Sequence, residues 1–524
     1  RSLGIGKADR VGYLGNNHPA FLETLFATGT LAAVFVPLHI RLAPQDLVHV
    51  LNHSGCKAVV FGPEAEPIIS QIRKGINTES FISVGEGHGH TPGLASLIDG
   101  APSVRIEETV GLDDLAILAY TSGTTGLPKG VMLSHGNLTW NVINLMSCAD
   151  FLSDDVVLAQ APLFRMGGLG VTVLPGLFKG ATIIITPSVV PEDIPGLIER
   201  HRVSVLFGAP AYFQALDRAL GGRPTDLSSL RFCICGGDTV PESLIQRWLD
   251  RGVQFRQGYG LTEAAPVALL LDRDELLSKN GSAGRTMFFS DVQVFRNDLA
   301  AAGPGETGEL AVRGPNVTPG YWNDSEATRS RISPDGWLHS GDAARMDEDG
   351  HVYVFGRMSD SIRLADKIVH PWEIEKTLAT HPAIRECAVV GIPHGDRDTQ
   401  GAKPLPRGLD RLFGSSSAGR ARSEANYIPR RPAKEPQREG SQAAAPGEGK
   451  RDSESLSFHC RRRSRGWGSC PKAYGRILKV ARTITELAAD DDIGPTHISG
   501  AIQYRMMIGI IEVFFHIPPR AGPR

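Results

Sequence analysis

A chain of 524 residues, 41% hydrophobic and 21% charged, has apolar material for a large core and for more than one domain. A formal net charge of -2 gives the chain no overall bias towards nucleic acid. Seven cysteines, an odd number without metal-type spacing, fit a reducing cytoplasm better than a disulfide framework.

The opening Arg1-Ser-Leu-Gly-Ile-Gly-Lys-Ala-Asp-Arg-Val-Gly-Tyr13 carries no signal peptide and reads as the interior of a domain, so an N-terminal truncation is expected. Short apolar runs then alternate with helical segments to about residue 400. Residues 11–14, 57–61, 115–119, 181–186, 203–207 and 230–235 read as strands, and residues 21–31 and 191–200 as helices. This alternation predicts α/β architecture with largely parallel sheets. The longest apolar stretch, residues 171–185, is interrupted by Pro175, Gly176, Lys179 and Gly180. It is too broken to span a bilayer, so at most peripheral membrane contact is expected.

After the strand at 115–119 comes Tyr120-Thr-Ser-Gly-Thr-Thr-Gly-Leu-Pro-Lys-Gly130. Six consecutive hydroxyl or glycine positions at a turn expose backbone N–H groups to an anion, and Lys129 adds a point charge. The plain alternative is a flexible surface loop, which the preceding strand and the lysine disfavour. The Walker pattern fails, because Lys129 follows proline and precedes glycine, and the Rossmann fingerprint fails here too. Ser134 is the expected cap of the helix that follows.

Residues 303–356 change to β character, with strands at 309–313 and 351–355. Residues 371–379 read as a helix with proline in its first turn, and 386–391 as a strand opening a small α+β domain. Residues 405–470 are rich in Arg, Ser, Pro and Gly, and basic residues there outnumber acidic ones about two to one. Disorder or out-of-frame translation is the preferred reading, a nucleic-acid-binding tail the other, and no nucleic-acid partner is expected. Helical periodicity returns at 472–487, with Tyr474, Ile477, Leu478, Ala481, Ile484 and Leu487 on one face.

Four further signatures follow the loop in order: Gln257-Gly-Tyr-Gly-Leu-Thr-Glu263, Tyr321-Trp322, Gly336-Trp-Leu-His-Ser-Gly-Asp342 and Gly356-Arg-Met-Ser-Asp-Ser-Ile362. Together these motifs resemble the AMP-forming adenylate ligase superfamily, and residues 1–404 are most similar to bacterial fatty-acid–CoA ligases. The resemblance implies a large adenylate-forming domain with parallel sheets and a small β-region, followed by a truncated small C-terminal α+β domain. The expected division is 1–356, 357–404, a low-complexity stretch at 405–470, a foreign helical segment at 471–505 and a tail at 506–524. The segment 472–505 resembles the C-terminal part of magnesium-chelatase-like competence ATPases.

The implied reaction joins a carboxylic acid to ATP, releases pyrophosphate, and passes the acyl group from AMP to coenzyme A. Thr121, Ser122, Gly123, Thr124, Thr125 and Lys129 are implied to cradle the outer phosphates, and Thr262 the inner one. Glu263 would hold Mg²⁺. Gly236, Gly237 and Tyr259 would lie against adenine, while Asp342 and Arg357 would take the ribose. Ser359 falls at the family's pivot, where Asp or Lys is usual, and Ala365 and Asp366 replace glycines of the implied pantetheine loop. Arg165 stands where many relatives carry histidine, with a gate, a substrate contact or a salt bridge as its possible roles. Gly167 and Gly168 leave room for an acyl chain.

The family's adenylation lysine has no counterpart here, since Pro471-Lys-Ala-Tyr-Gly-Arg476 matches its pattern only superficially. Two readings follow: a cytoplasmic fatty-acid–CoA ligase, or an impaired acyl- and nucleotide-binding protein. Medium- or long-chain fatty acids, aryl acids and carnitine-like acids all stay open as substrates.

Overall fold

In a computed structural model, residues 1–391 are described apart from 88, 90, 103–105, 107, 122–126, 188–189, 222–223, 239, 365–366, 372–373, 376–377 and 379–385; residues 511–516 are also described. The chain divides into two compact units, Arg1–Met358 and Ser359–Arg524.

The first unit holds two seven-stranded sheets. One runs in the order Gly320–Tyr321, Lys129–Ser134, Leu115–Thr121, Val34–Leu38, Arg10–Leu14, Cys56–Phe61 and Ser80–Ser83. The other runs Arg285–Thr286, Val267–Leu271, Gln254–Gly260, Phe232–Gly236, Val205–Gly208, Val156–Ala159 and Thr182–Ile185. In both, the centre is parallel and antiparallel strands close one edge. The parallel centre has the composition that burial on both faces demands: Val34–Leu38 and Phe232–Gly236 are buried at every position. The expected α/β class is therefore what the structure has.

Helices cover the faces. Pro19–Thr30 packs Phe21 into a cluster with Tyr13 and Phe35. Glu242–Asp250 buries Leu244, Ile245 and Trp248, and the Trp248 ring centroid lies 5.3 Å from that of Phe213 and 6.1 Å from that of Phe255. Ser134 caps His135–Cys148 in a reciprocal box with Asn137, as the sequence predicts.

The broken apolar stretch becomes a π-helical turn at Leu169–Val173, a short helix Leu174–Lys179 ended by Gly180 at φ +84, and the strand Thr182–Ile185. Among the described residues no helix is long and apolar enough to cross a membrane.

A four-stranded antiparallel sheet follows, in the order Asp291–Phe295, Thr307–Arg313, Leu338–Met346 and Val352–Arg357. Its last two strands, Leu338–Met346 and Val352–Arg357, form a hairpin whose register sets Asp342 opposite Arg357.

In the second unit, Ile362–Leu364 pairs with Lys367–Val369, and Ser361 Oγ lies 2.9 Å from His370 Nδ1. Residues 506–524 read as a tail in sequence, yet Ile511–His516 is a strand paired antiparallel with Glu386–Gly391. Strand pairing follows hydrogen-bonding partners, not nearness in sequence. Most of the expected helix at 371–379, the low-complexity stretch and the segment at 471–505 lie outside the described residues.

Candidate functional site

The phosphate-type loop leaves the carboxyl end of Leu115–Thr121, the position at which open α/β sheets bind ligands. Ser122, Gly123, Thr124 and Thr125 lie outside the described residues. The two ends of the loop are fixed: Thr121 pairs with Lys129 across the antiparallel ladder. Lys129 Nζ stands 3.1 Å from Asp324 Oδ2 and 5.8 Å above the Tyr321 ring. The Ala327 amide, and after it Lys129, hold the Asp324 carboxyl below its ordinary range.

Glu263 occupies a 3₁₀ turn, Thr262–Ala264, just past the strand Gln254–Gly260. Its Oε1 accepts a 2.7 Å hydrogen bond from the Tyr321 hydroxyl, and its backbone carbonyl accepts from Thr318 N at 2.8 Å. Burial, and next the Glu263 charge, push the Tyr321 phenol above its usual range, so it stays a donor. Tyr321 sits beside the loop because Gly320–Tyr321 pairs with Met132 and Val131. Glu263 and Lys129 thus share Tyr321, one against its hydroxyl and one over its ring.

A second carboxylate is held in the same manner. Asp342, 9% exposed, accepts from the Tyr259 hydroxyl at 2.6 Å and pairs with Arg357 Nε at 3.2 Å. Burial raises the Asp342 pKa, opposed by the Tyr259 hydrogen bond and by Arg357 and Arg331. Arg357 and Arg331 both donate to the Ser340 carbonyl, at 3.1 and 2.8 Å. Gly236 ends the neighbouring strand, and a Cβ there would lie 2.7 Å from the Gly258 carbonyl oxygen, so only glycine fits. Gly237, at φ +90, opens onto free space.

The structure therefore joins Lys129 and Glu263 through Tyr321, and Tyr259, Asp342 and Arg357 in a direct cluster. Sequence reading gave no role to Asp324 and none to Tyr321 beyond the Tyr321-Trp322 signature. Only that signature pointed towards them.

Around the next strand ends the picture differs from expectation. Gly168 does not open a channel, because a Cβ there would lie 2.2 Å from the Pro162 carbonyl oxygen; its glycine is required by backbone packing. At Gly167 a Cβ would rest 3.4 Å from the Phe207 ring. The Tyr212 hydroxyl and Gln160 Oε1 are buried, and the Gln160 side chain lies against Tyr212. Arg165 is exposed and has no carboxylate partner among the described residues. Its Nη2 is 3.4 Å from His39 Nε2, while His39 Nδ1 accepts from the Arg41 amide at 2.9 Å. That acceptor role puts the proton of neutral His39 on Nε2, so two donors face one another. Among the described residues the salt-bridge reading of Arg165 finds no partner.

The residues present fit a magnesium nucleotide. Glu263 is an oxygen donor with one oxygen committed to a phenol, and Asp342 is a fixed acceptor beside a glycine-walled space.

Comparison with known proteins agrees. Residues 1–322 match the AMP-binding enzyme family, and residues 453–505 match the C-terminal family of magnesium chelatase subunit ChlI. The chain is 44% identical over 393 residues to feruloyl-CoA synthase of an Amycolatopsis species, covering 75% of this chain and 77% of that protein. It is 32% identical over 434 residues to the long-chain-fatty-acid–CoA ligase of Thermus thermophilus, covering 78% of this chain and 80% of the relative. Among solved structures, the anthranilate CoA ligase AuaEII in complex with anthranoyl-AMP superposes with a TM-score of 0.70 at 26% identity, covering 75% and 76% of the two chains. The chain belongs to the AMP-binding enzyme family and is an AMP-forming acid–CoA ligase.

Proposed function

We propose that this ligase activates an aryl-substituted carboxylic acid, using ATP and Mg²⁺, and transfers the acyl group to coenzyme A. The observation that carries the reading is the pair of phenol-held carboxylates, Glu263 with Tyr321 and Asp342 with Tyr259, next to the loop-closing Lys129. Attack of a carboxylate on a phosphate needs alignment and charge neutralisation more than acid–base chemistry. Magnesium ATP supplies the electrophilic phosphorus, the leaving pyrophosphate and part of that neutralisation.

The chain's own residues divide the remainder. Glu263 offers the carboxylate that takes the metal, and Tyr321 fixes which of its oxygens is free. Thr121 and the 122–125 loop, with Thr262, take phosphate oxygens, and Lys129 screens their charge once it exchanges Asp324 for phosphate. Asp342 accepts from the ribose hydroxyls and Arg357 donates beside it. Gly236, Gly237 and Tyr259 leave a flat wall for adenine.

The aryl preference is supported by the Phe207 ring, which lies 3.4 Å from where a Cβ of Gly167 would stand. The 44% identity to a feruloyl-CoA synthase points the same way. The comparisons lend no support to an impaired binding protein. Purified chain with ATP, Mg²⁺ and coenzyme A is expected to release pyrophosphate faster with ferulate than with palmitate. Faster turnover of palmitate would overturn the aryl reading, and absence of pyrophosphate with every acid would overturn turnover itself.

A further inference from the structure

The hairpin that carries Asp342 and Arg357 at one end carries a second polar cluster at its turn. Met346 and Val352 are the last paired residues, and Asp347, Asp349 and His351 lie in or beside the turn. Four residues separate Asp342 from Met346, about 13 Å along an extended strand, so this cluster is apart from the nucleotide residues.

His351 is wholly buried. Its Nε2 lies 3.0 Å from Glu275 Oε2, which places the ring proton on that nitrogen. Nδ1 is buried, has no hydrogen bond, and points at Asp347 Oδ1 from 3.6 Å. A lone pair facing a carboxylate oxygen is repulsive unless a proton or a metal cation lies between them, and 3.6 Å is too long for the hydrogen bond a proton would make. Two ligands of a tetrahedral ion with bonds of 2.0–2.2 Å stand about 3.4 Å apart, close to what is found. One ligand atom each from Asp347, Asp349 and His351 falls within 4.8 Å of the others. The Asp349 and His351 amides donate to Asp347 Oδ1 at 3.0 and 2.8 Å, fixing it. Glu275 behind Nε2 completes a carboxylate–histidine arrangement of the kind that orients metal-bound imidazoles.

One cation already touches the cluster. Lys279 Nζ lies 3.0 Å from Asp347 Oδ2, the oxygen that does not face the imidazole, and 2.5 Å from Asp349 Oδ2. The ammonium balances the acidic pair but leaves Nδ1 unsatisfied.

We propose that Asp347, Asp349 and His351 bind a divalent cation of the zinc class, with Glu275 positioning the imidazole and Lys279 as the competing internal cation. Imidazole with carboxylates favours zinc-like ions over Mg²⁺, which prefers oxygen and water. Such an ion would tie the turn to the segment at 272–280, independently of the acid or nucleotide bound.

The test is titration of Zn²⁺ alone into chelator-treated full-length chain, read by calorimetry and by the shift in Tm. Asp349→Asn, at an exposed position, is expected to weaken the tightest binding about tenfold or more without loss of fold, and Glu275→Gln about 10- to 100-fold. Lys279→Met is expected to strengthen it by removing the competitor. Zinc binding that is the same in wild type, Asp349→Asn and Lys279→Met, or no zinc binding at all, overturns the proposal.

Discussion

Glu263 and Asp342 share a design, a carboxylate with one oxygen held by a tyrosine hydroxyl, and in Asp342 the other oxygen faces Arg357 Nε. The charge-assisted hydrogen bond from each phenol contributes about 1.5–3 kcal/mol and orients the carboxylate, whereas the carboxylate's charge is what a metal ion or a ribose hydroxyl reads. The two contributions separate by mutation. Glu263→Gln, which keeps an acceptor for Tyr321 but removes the charge, is expected to lower kcat/KM more than tenfold, above about 1.4 kcal/mol, with Tm nearly unchanged. Tyr321→Phe, which keeps the charge and frees its orientation, is expected to cost less in kcat/KM. Steady-state pyrophosphate release checks both. Equal activity of Glu263→Gln and wild type would reduce Glu263 to a structural partner of Tyr321. Both partners carry sequence signatures, but their contact is legible in neither, because it spans 58 residues.

At the scale of elements, the helix His135–Cys148 fixes how the antiparallel edge meets the rest of the sheet. Ser134 Oγ accepts from Asn137 N at 3.1 Å, and Asn137 Oδ1 in turn accepts from Ser134 N at 2.9 Å. Asn137 also donates to the Pro315 and Val317 carbonyls, at 2.9 and 2.8 Å, which holds the segment leading to Gly320–Tyr321 against the loop's far strand. Loss of such a cap costs about 1 kcal/mol. Ser134→Ala is expected to lower denaturant stability by about that much while leaving the m-value unchanged. No change in the midpoint would show that the Asn137 amide alone does the work. The cap itself was readable, since Ser134 precedes a helical pattern. The Asn137 tether was not, because a local pattern says nothing about a loop some 180 residues away.

For the whole molecule, one buried contribution to stability in acid lies at the amino ends of the second sheet's strands. Asp155, with 1% of its side chain exposed, accepts from Arg231 Nε and Nη2 at 2.9 Å, Ser204 Oγ at 2.6 Å and Leu152 N at 2.8 Å. Burial works against its charge, yet Arg231, Ser204 and Leu152 together bring its pKa below the ordinary 3.8. A depressed carboxylate pKa adds stability that is complete above 3.8 and is lost as pH falls through the lower folded value. Asp155→Asn is therefore expected to destabilise by about 1–3 kcal/mol near pH 7, with the gap to wild type closing below pH 3.8. Chemical denaturation at both pH values checks it, and a gap that is constant with pH would contradict the charged-pair account.

Sequence by itself determined the alternation of strands and helices, the glycine- and hydroxyl-rich loop, the ordered motifs and the family they belong to. Each of these depends on local periodicity, local dihedral preference or local composition. Only the tertiary structure decided that Tyr321 serves Glu263, that Tyr259 reaches Asp342 across 83 residues, and that Arg165 faces His39 across 126. It also decided that Ile511–His516 pairs with Glu386–Gly391, and that Gly168 packs backbone instead of opening space. Those outcomes depend on which strands become neighbours and in what register. Such pairings are set by the shared burial of distant segments, and no short stretch of chain encodes them.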